Sequence, residues 1–169
     1  AAIEWATERG KVEWGLRLAV ALSWFWFMRV YYTEGRERLS ALIARSTTMA
    51  KTPQITLAVA KALNRAADFA QDLGDIEKAR SFSEQSLSME TEDEDKAEMA
   101  HSLENLARLA LAEGDHAKAA ALYDQSIALY RKAQDNRGLG GSLQGLAVAL
   151  TRQGNLEQVD DVLVIGVTI

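Results

Sequence analysis

The sequence repeats itself at an interval of forty residues. Gly74-Asp75 recurs as Gly114-Asp115, and Gln85-Ser86 recurs as Gln125-Ser126. Gly154-Asn155 follows forty residues after the second Gly-Asp pair. A period of roughly 20–50 residues is typical of proteins in which equivalent units stack side by side, each covering the apolar flank of its neighbour. The sequence therefore predicts an array of one repeated structural unit.

The pattern inside each copy predicts an all-α unit made of two antiparallel helices. Leu103, Ala107 and Ala110 are spaced along one face of a helix. Gly114 ends that helix, because glycine adopts the left-handed conformation of a helix C-terminus at little cost. Asp115 begins the next helix, because its carboxylate accepts hydrogen bonds from free backbone N–H groups. Applied to the whole sequence, this pattern predicts about nine helices.

We expect one domain over residues 1–169, in which the N-terminal part is a looser copy of the unit. In residues 1–50, a long helix is predicted from Val12 to Arg29, with Val30 in the place of Gly74 and a turn at Tyr31–Arg36. The repeats are placed at 51–99, 100–139 and 140–164, followed by a tail at 165–169. We expect the tail to be extended from Gly166 onward and either to fold back or to pair with another chain.

Composition narrows the class of function. The net charge is +2 over residues 1–50, −5 over 51–100 and −2 over 101–169, so no segment is basic enough for phosphate-driven binding of nucleic acid. The chain has no cysteine, which excludes disulfides and thiolate zinc sites and fits the cytoplasmic location that we predict. The longest apolar run, Leu18–Met28, is shorter than the ~20 residues that span a bilayer, so we expect no membrane segment.

Several features suggest specific chemistry, but a structural interpretation is stronger for each. The acidic run Glu90–Asp95 lacks the glycine and distal glutamate of a calcium loop, and we interpret it as the start of a helix. Gly138–Gly145 lacks the glycine spacing and preceding strand of a phosphate-binding loop, and we interpret it as a helix start that packs closely on the previous repeat. His101 and His116 complete no metal site. We predict no enzyme, no metal and no cofactor.

These spacings resemble the tetratricopeptide repeat, a helix-turn-helix unit with small residues at its eighth and twentieth positions. Counting copies from Ala60, Ala100 and Gly140, the residues at those positions are Ala67, Ala107, Ala147, Ala79, Ala119 and Val159. The copies depart from the motif in having forty residues instead of thirty-four and no terminal proline. The resemblance implies antiparallel helix hairpins stacked into a right-handed superhelix, an α-solenoid that binds a protein or peptide partner.

A narrower resemblance covers most of the chain. The stretch from Ala1 to Ile43 and the segment DNRGLGGSLQGLAVALTRQGN (Asp135–Asn155) look like the helical tails of STAND-type ATPases and LuxR- or AfsR-like bacterial transcription regulators. The chain also begins without methionine, so we expect a fragment of a larger regulator, in which it senses signals or binds partners, including the rest of its own chain. The alternatives are a free-standing scaffold that binds peptides or forms homo-oligomers, and a small-ligand sensor.

In tetratricopeptide repeats the first helix of each unit lines the concave side of the superhelix, and the resemblance assigns polar residues to that groove. Arg65 and Arg108 could grip a peptide backbone or carboxylate through charge-assisted hydrogen bonds. The alternative is that the predicted residues form an ordinary solvated helix face. The predicted groove residues are Lys61, Asn64, Arg65, Asp68, His101, Glu104, Asn105, Arg108, Gln144 and Thr151.

The aromatic run Trp24–Phe27 covers nearly every side of its helix. At 3.6 residues per turn, Trp24 and Trp26 point about 200° apart. One face is expected to pack against the helix at Thr33–Ile43. The opposite face needs either Trp5 and Trp14 as packing partners or an interface with another domain or a second copy. The interface interpretation involves Trp24, Trp26 and Phe27.

Overall fold

The computed structural model describes residues 3, 5, 6, 9–89 and 96–167, with side chains up to residue 162. The helices are α1 (Val12–Met28), α2 (Tyr32–Ser46), α3 (Pro53–Asp72), α4 (Ile76–Met89), α5 (Lys96–Ala112), α6 (His116–Ala133), α7 (Asn136–Gln153) and α8 (Leu156–Val167). They form two compact units, unit 1 (Ala1–Thr91) and unit 2 (Glu92–Ile169). Within these residues the backbone is helix and turn, so the predicted all-α class is confirmed. The assignment of residues 1–169 to one domain stays a prediction.

The turns inside the α3–α4, α5–α6 and α7–α8 hairpins follow one pattern, which explains the Gly-Asp repeat. Gly74, Gly114 and Gly154 have left-handed φ angles of 73°, 83° and 78°. The N–H group of the residue after each glycine donates to a carbonyl five positions back, as from Asp75 to Ala70 (2.8 Å). This is the Schellman arrangement, which satisfies carbonyls at a helix end and reverses the chain. The predicted role of the glycines is confirmed.

Helices α3, α4, α6 and α7 each begin at a polar side chain that caps the backbone. The carboxylates of Asp75, Asp115 and Asp135 accept hydrogen bonds from backbone N–H groups three residues on, at 3.4, 3.1 and 3.0 Å. Thr52 caps α3 in the same way, with Pro53 as the first helical residue. The predicted role of Asp115, and of Asp75 at the equivalent position, is therefore confirmed.

The first hairpin uses the same turn with a different residue. Val30 has a φ of 59°, and the N–H of Tyr31 donates to the carbonyl of Trp26 (2.8 Å). The predicted equivalence of Val30 with Gly74 is thus confirmed. The predicted turn at Tyr31–Arg36 is too long, because the Schellman bonds already reverse the chain and α2 begins at Tyr32. Gly10 has a φ of 69°, and Ile3, Trp5 and Ala6 before it are helical.

Each unit has its own apolar core. In unit 1, Leu16 and Trp26 of α1 pack with Leu39, Leu63 and Phe69 of α2 and α3, and the core is completed by neighbouring aliphatic residues. A Cβ atom at Gly35 would lie 2.6 Å from the Phe69 ring. The absence of a side chain at Gly35 is therefore what lets α2 and α3 approach this closely.

The core of unit 2 is built around two tyrosines. Tyr123 and Tyr130 of α6 pack with Leu143 and Leu146 of α7, and Val162 of α8 is buried in the same cluster. A buried serine bonds a neighbouring helix at the same place in both units, since Ser86 Oγ donates to the Ala60 carbonyl (3.1 Å) and Ser126 Oγ to the Ala100 carbonyl (2.7 Å). The forty-residue period therefore relates equivalent hydrogen bonds in the structure as well as identical residues in the sequence.

The extended tail predicted from Gly166 is wrong for the residues that the structure describes. Helix α8 continues through Gly166 to Val167, because Val159 and Val162 anchor the helix on the core of unit 2 and propagation of a formed helix costs little. Residues 168 and 169 and the acidic run Glu90–Asp95 lie outside the described residues. No helix among those described is long and apolar enough to cross a membrane.

Candidate binding surfaces

The glycine-rich segment Gly138–Gly145 lies inside helix α7 and forms a packing surface. A Cβ atom at Gly138 would overlap the ring of Tyr130, and one at Gly145 would overlap the ring of Tyr123. Both rings are buried. The missing side chains are what let two tyrosines of α6 lie flat against α7, so the close-packing interpretation is confirmed and a phosphate-binding loop is not formed.

A carboxylate of α5 joins this packing surface. Glu104 Oε2 accepts a hydrogen bond from the hydroxyl of Tyr130 (3.1 Å) and one from Ser142 Oγ (3.5 Å). Ser142 Oγ also lies 2.9 Å from Ser126 Oγ. Glu104 therefore links α5, α6 and α7 internally. Sequence analysis placed it in the open groove and missed this role, although the seven-residue spacing of Gly138 and Gly145 was a signal that two large residues pack there.

The two tyrosines are held in an environment that opposes ionisation. Burial raises the pKa of Tyr123 to about 12, with Glu104 adding to the effect and Arg108 acting against it. Burial raises the pKa of Tyr130 further, helped by the charge and hydrogen bond of Glu104. Both hydroxyls remain protonated at neutral pH, so Tyr130 can act as a donor to Glu104.

In unit 2, the predicted groove residues divide into accessible and buried groups. Arg108, Gln144 and Thr151 are exposed, and His101 and Glu104 are half-buried. Asn105 is fully buried, and its Oδ1 accepts a hydrogen bond from Arg108 Nη2. Asn105 therefore positions the arginine and offers no surface of its own.

The exposed members lie on α5 and α7, which contact each other. Val148, on the same turn of α7 as Thr151, is 41% exposed and adds an apolar side chain to this surface. We call the set Arg108, Gln144, Val148 and Thr151, with His101 at its edge, the α5–α7 face. It combines one cation, one amide, one hydroxyl and one aliphatic group.

In unit 1, the predicted groove residues lie on α3. Arg65 Nη1 donates to Asp68 Oδ2 at 3.1 Å, and both side chains are partly buried. Lys61 is half-buried, and Asn64 is fully buried. The Asn64 side chain is therefore not presented to a ligand, and the charge of Arg65 is partly balanced by its neighbour on the helix.

The aromatic run in α1 is only partly core. Trp26 is buried, and its ring lies edge-on to Phe69 with centroids 6.5 Å apart. Trp24 and Phe27 stack on each other (5.7 Å) and are exposed, as is Phe25. Packing of these residues against Trp5 and Trp14 is wrong, because those two tryptophans are themselves more than half exposed.

Metal chemistry has no candidate site in the part of the chain that the structure describes. Among those residues, no group of three or more histidine, cysteine, aspartate or glutamate side chains could hold a metal ion. His101 lies on α5 and His116 begins α6. The surfaces described above are suited to reversible contact with another molecule.

Residues 58–132 match the family model described as tetratricopeptide repeat. No curated protein matches the chain. The match spans the copies in which the forty-residue period is clearest, and it runs from within α3 to the end of α6.

Solved structures extend the similarity to nearly the whole chain. A candidate kinesin light chain of Podosopora anserina with nearly identical TPR-like repeats has a TM-score of 0.72 and 21% identity, over 90% of this chain and 74% of that one. A single-substitution variant of the same protein gives 0.72 and 20%, over 90% and 73%. BtubC (BKLC) of P. vanneervenii gives 0.73 and 15%, over 89% of this chain and 61% of that one. Residues 58–132, a little under half of the chain, are therefore similar to tetratricopeptide repeats, and the fold of the chain is the one seen in tetratricopeptide-repeat structures.

Proposed function

We propose that the protein binds a peptide segment of another protein on the α5–α7 face. Tetratricopeptide repeats generally mediate protein–protein interaction, and residues 58–132 are similar to them. The observation that supports this surface is the exposed guanidinium of Arg108, oriented by the buried Asn105. A side chain that is already oriented loses less entropy on binding, which favours affinity.

The chemistry of the face indicates the kind of peptide. Arg108 provides charge-assisted hydrogen bonds to a carboxylate or to backbone carbonyls. Val148 offers an apolar contact, and Gln144 and Thr151 are neutral groups that can bond a peptide backbone. An extended segment with an acidic residue next to an aliphatic one fits this combination.

Selection from a random peptide library displayed on phage tests the proposal. Peptides enriched on the wild-type chain should carry an Asp or Glu beside an aliphatic residue. Arg108→Ala should weaken their binding roughly 10–100-fold, the range expected for a hydrogen bond to a charged group. Val148→Asp should weaken it further by placing a carboxylate beside the acidic residue.

Arg131→Ala is the matched control. Arg131 is also an exposed arginine of unit 2, but it lies in the last turn of α6, away from the α5–α7 face. Its replacement should leave the affinity unchanged. Equal losses in the two variants would show that binding is diffuse electrostatic attraction. Failure to enrich any peptide, together with thermal stabilisation by a small polar metabolite, would favour the ligand-sensor alternative.

We also propose the wider setting that the sequence resemblance implies. In this proposal the chain is the partner-binding or sensing arm of a larger cytoplasmic bacterial transcription regulator or signal-transduction ATPase. The resemblance over Ala1–Ile43 and Asp135–Asn155 supports it. The full reading frame is the test, because a regulator of this kind carries a P-loop NTPase module and a winged helix upstream.

A second candidate function is self-association, and one observation favours it. Trp24, Phe25 and Phe27 are exposed by 59%, 48% and 43% on a single helix of unit 1. Large apolar patches of this kind are rare on monomeric proteins and mark interaction surfaces. Sedimentation velocity over a concentration series distinguishes a reversible oligomer from a species that stays at the 18.6 kDa of the chain.

A further inference from the structure

Helix α1 has an apolar face that the rest of unit 1 does not use. Leu16, Ala19 and Trp26 enter the core, whereas Trp14, Trp24 and Met28 are 63%, 59% and 60% exposed. At 3.6 residues per turn, the exposed residues fall within an arc of about 120°. We call this set the outer face of α1, and its members are Trp14, Arg17, Ala21, Trp24, Phe25 and Met28. Leu18, which is half-buried against the core of unit 1, lies at the edge of this face.

The outer face is symmetric about its smallest residue. Ala21 is exposed at its centre. Trp14 and Met28 lie seven residues to either side of Ala21, Arg17 and Phe25 lie four to either side, and Leu18 and Trp24 lie three to either side. When two such helices pack antiparallel around a two-fold axis, each residue meets the one at the same distance on the other side of the centre.

We propose that two copies of the chain associate through α1 packed antiparallel on α1, with the two-fold axis at Ala21. This proposal rests on the self-association proposed above and gives it a geometry. The small side chain of Ala21 lets the helix axes approach to about 9–10 Å, within the range of packed helices. The large side chains on either side of it then interdigitate instead of colliding.

The pairs that this axis creates are chemically compatible. Trp14 meets Met28 of the partner subunit, and sulfur–aromatic contacts are favourable. Arg17 meets Phe25 of the partner subunit, which suits a cation–π contact. In the described structure Arg17 already lies over the Trp14 ring, 5.4 Å from its centroid, so its guanidinium is positioned beside the aromatic surface. Leu18 meets Trp24 of the partner subunit, which is an apolar pair.

The available area is sufficient for a stable dimer. An aromatic side chain buries roughly 150–250 Å² in full, and Trp14, Trp24, Phe25 and Met28 are each about half exposed or more. With Ala21, Leu18 and the flanking Phe27 and Tyr31, each copy can contribute about 600 Å². Two copies therefore bury about 1,200 Å² in total, which reaches the lower end of the ~1,200–2,000 Å² of specific interfaces. A symmetric pair uses the same patch twice and closes on itself.

A cysteine placed at the axis tests the geometry, because the natural chain contains none. With helix axes about 9–10 Å apart and Cα atoms at a radius of about 2.3 Å, the two residue-21 Cα atoms would lie about 4.4–5.4 Å apart, which is within the ~4.4–6.8 Å range of disulfides. Ala21→Cys should therefore form a disulfide-linked dimer under mild oxidation, seen on a non-reducing gel. Gly140→Cys is the control, since Gly140 is exposed on α7 of unit 2 with no atom near its Cβ position.

Charge variants at the same position give an independent readout. Ala21→Glu and Ala21→Lys should each weaken dimerisation at least tenfold in sedimentation velocity, because like charges meet at the axis. Mixing the two variants should restore association, an outcome expected only where a residue meets its own copy. Gly140→Glu should leave the dimer unchanged.

The outcomes separate this geometry from self-association in general. A dimer in which Ala21→Cys cross-links no faster than Gly140→Cys, and in which the Glu and Lys variants are not complementary, would overturn the two-fold axis at Ala21 while leaving self-association intact. A wild-type chain that stays monomeric to millimolar concentration would overturn both, and would assign the outer face to a different protein.

Discussion

Helices α1 and α7 occupy the same position in their hairpins, yet their surfaces are opposite in character. Each begins a hairpin and ends at a left-handed residue, Val30 after α1 and Gly154 after α7. Counted back from that residue, Trp14 of α1 is equivalent to Gly138 of α7, and Ala21 is equivalent to Gly145. Helix α1 therefore has a tryptophan where α7 has Gly138, whereas the position of Gly145 is small in both helices.

The difference shows that the same helix face can be buried by the chain itself in one hairpin and exposed to solvent in another. In α7, the glycines receive the rings of Tyr130 and Tyr123 from α6, so this face is buried within unit 2. In α1, the equivalent face presents Trp14 and its neighbours to solvent. The repeat period fixes where a face lies, and the size of the side chains on it decides whether the chain itself fills that face.

The largest effect should come from filling the space on α7. Changing both Gly138 and Gly145 to alanine places methyl groups where the buried tyrosine rings lie. Overpacking of this kind costs roughly 1–3 kcal/mol at each site, and a Cβ only 2.2 Å from a buried ring places both sites at the upper end. After subtracting the ~1 kcal/mol that alanine gains over glycine in a helix at each site, the double variant should lose about 4 kcal/mol of the free energy of unfolding in urea titrations followed by circular dichroism.

Gly140→Ala is the matched control for that comparison. Gly140 lies on the same helix with nothing within 4 Å of its Cβ position. Alanine is favoured over glycine inside a helix by up to about 1 kcal/mol, so this variant should be neutral or more stable. A similar loss in the control and in the double variant would contradict the role of the glycines as a packing surface for tyrosine.

The features of the fold that could be predicted from sequence are those whose interactions are local in the chain. The turns at Gly74 and Gly114 and the caps at Asp75 and Asp115 are local, and a repeat identifies them directly. The burial of Asn105 was not predictable, because it depends on which side of α5 packs against the neighbouring helices. Asn105 lies at the boundary between the packed side and the exposed side of α5, and the repeat pattern does not locate that boundary to within one or two residues. A boundary of the same kind on α1 separates Trp26, which is buried in the core, from Trp24, which is exposed to solvent.

A second effect follows from the tyrosines packed on α7. Because burial raises the pKa of Tyr123 to about 12, above the ~10 of an unfolded tyrosine, the stabilising contribution is complete below pH 10. This contribution to the free energy of unfolding is lost as the pH rises from 10 through 12. A difference of about two pKa units at 1.36 kcal/mol per unit makes the loss roughly 2–3 kcal/mol.

The measurement is urea unfolding at pH 9 to 12.5, with the absorbance of tyrosinate near 295 nm recorded in parallel. Tyr123→Phe should make the pH dependence shallower, and the dependence that remains should reflect Tyr130, whose pKa burial also raises. Ionisation of all tyrosines near pH 10 without unfolding would show that the rings are not enclosed as described.

The smallest effect tests whether Val30 after α1 and Gly154 after α7 occupy equivalent positions in their hairpins. Val30 is a β-branched residue in the left-handed region, with a φ of 59° and a side chain that is 67% exposed. Left-handed backbone costs a non-glycine residue roughly 1–2 kcal/mol, and replacement loses little buried area. Val30→Gly should therefore stabilise unit 1 by about 1 kcal/mol, after allowing for the greater freedom of glycine in the unfolded chain.

Tryptophan fluorescence can follow this change in unit 1, because all four tryptophans lie between residues 5 and 26. The reciprocal variant Gly154→Val should cost about 1–2 kcal/mol in unit 2 for the same reason, measured by circular dichroism. Opposite signs for the two exchanges would establish Val30 and Gly154 as the same position of the hairpin. Destabilisation by Val30→Gly would instead mean that the valine side chain contributes contacts that outweigh its backbone strain, and the equivalence of α1 and α7 would then hold in geometry but not in energy.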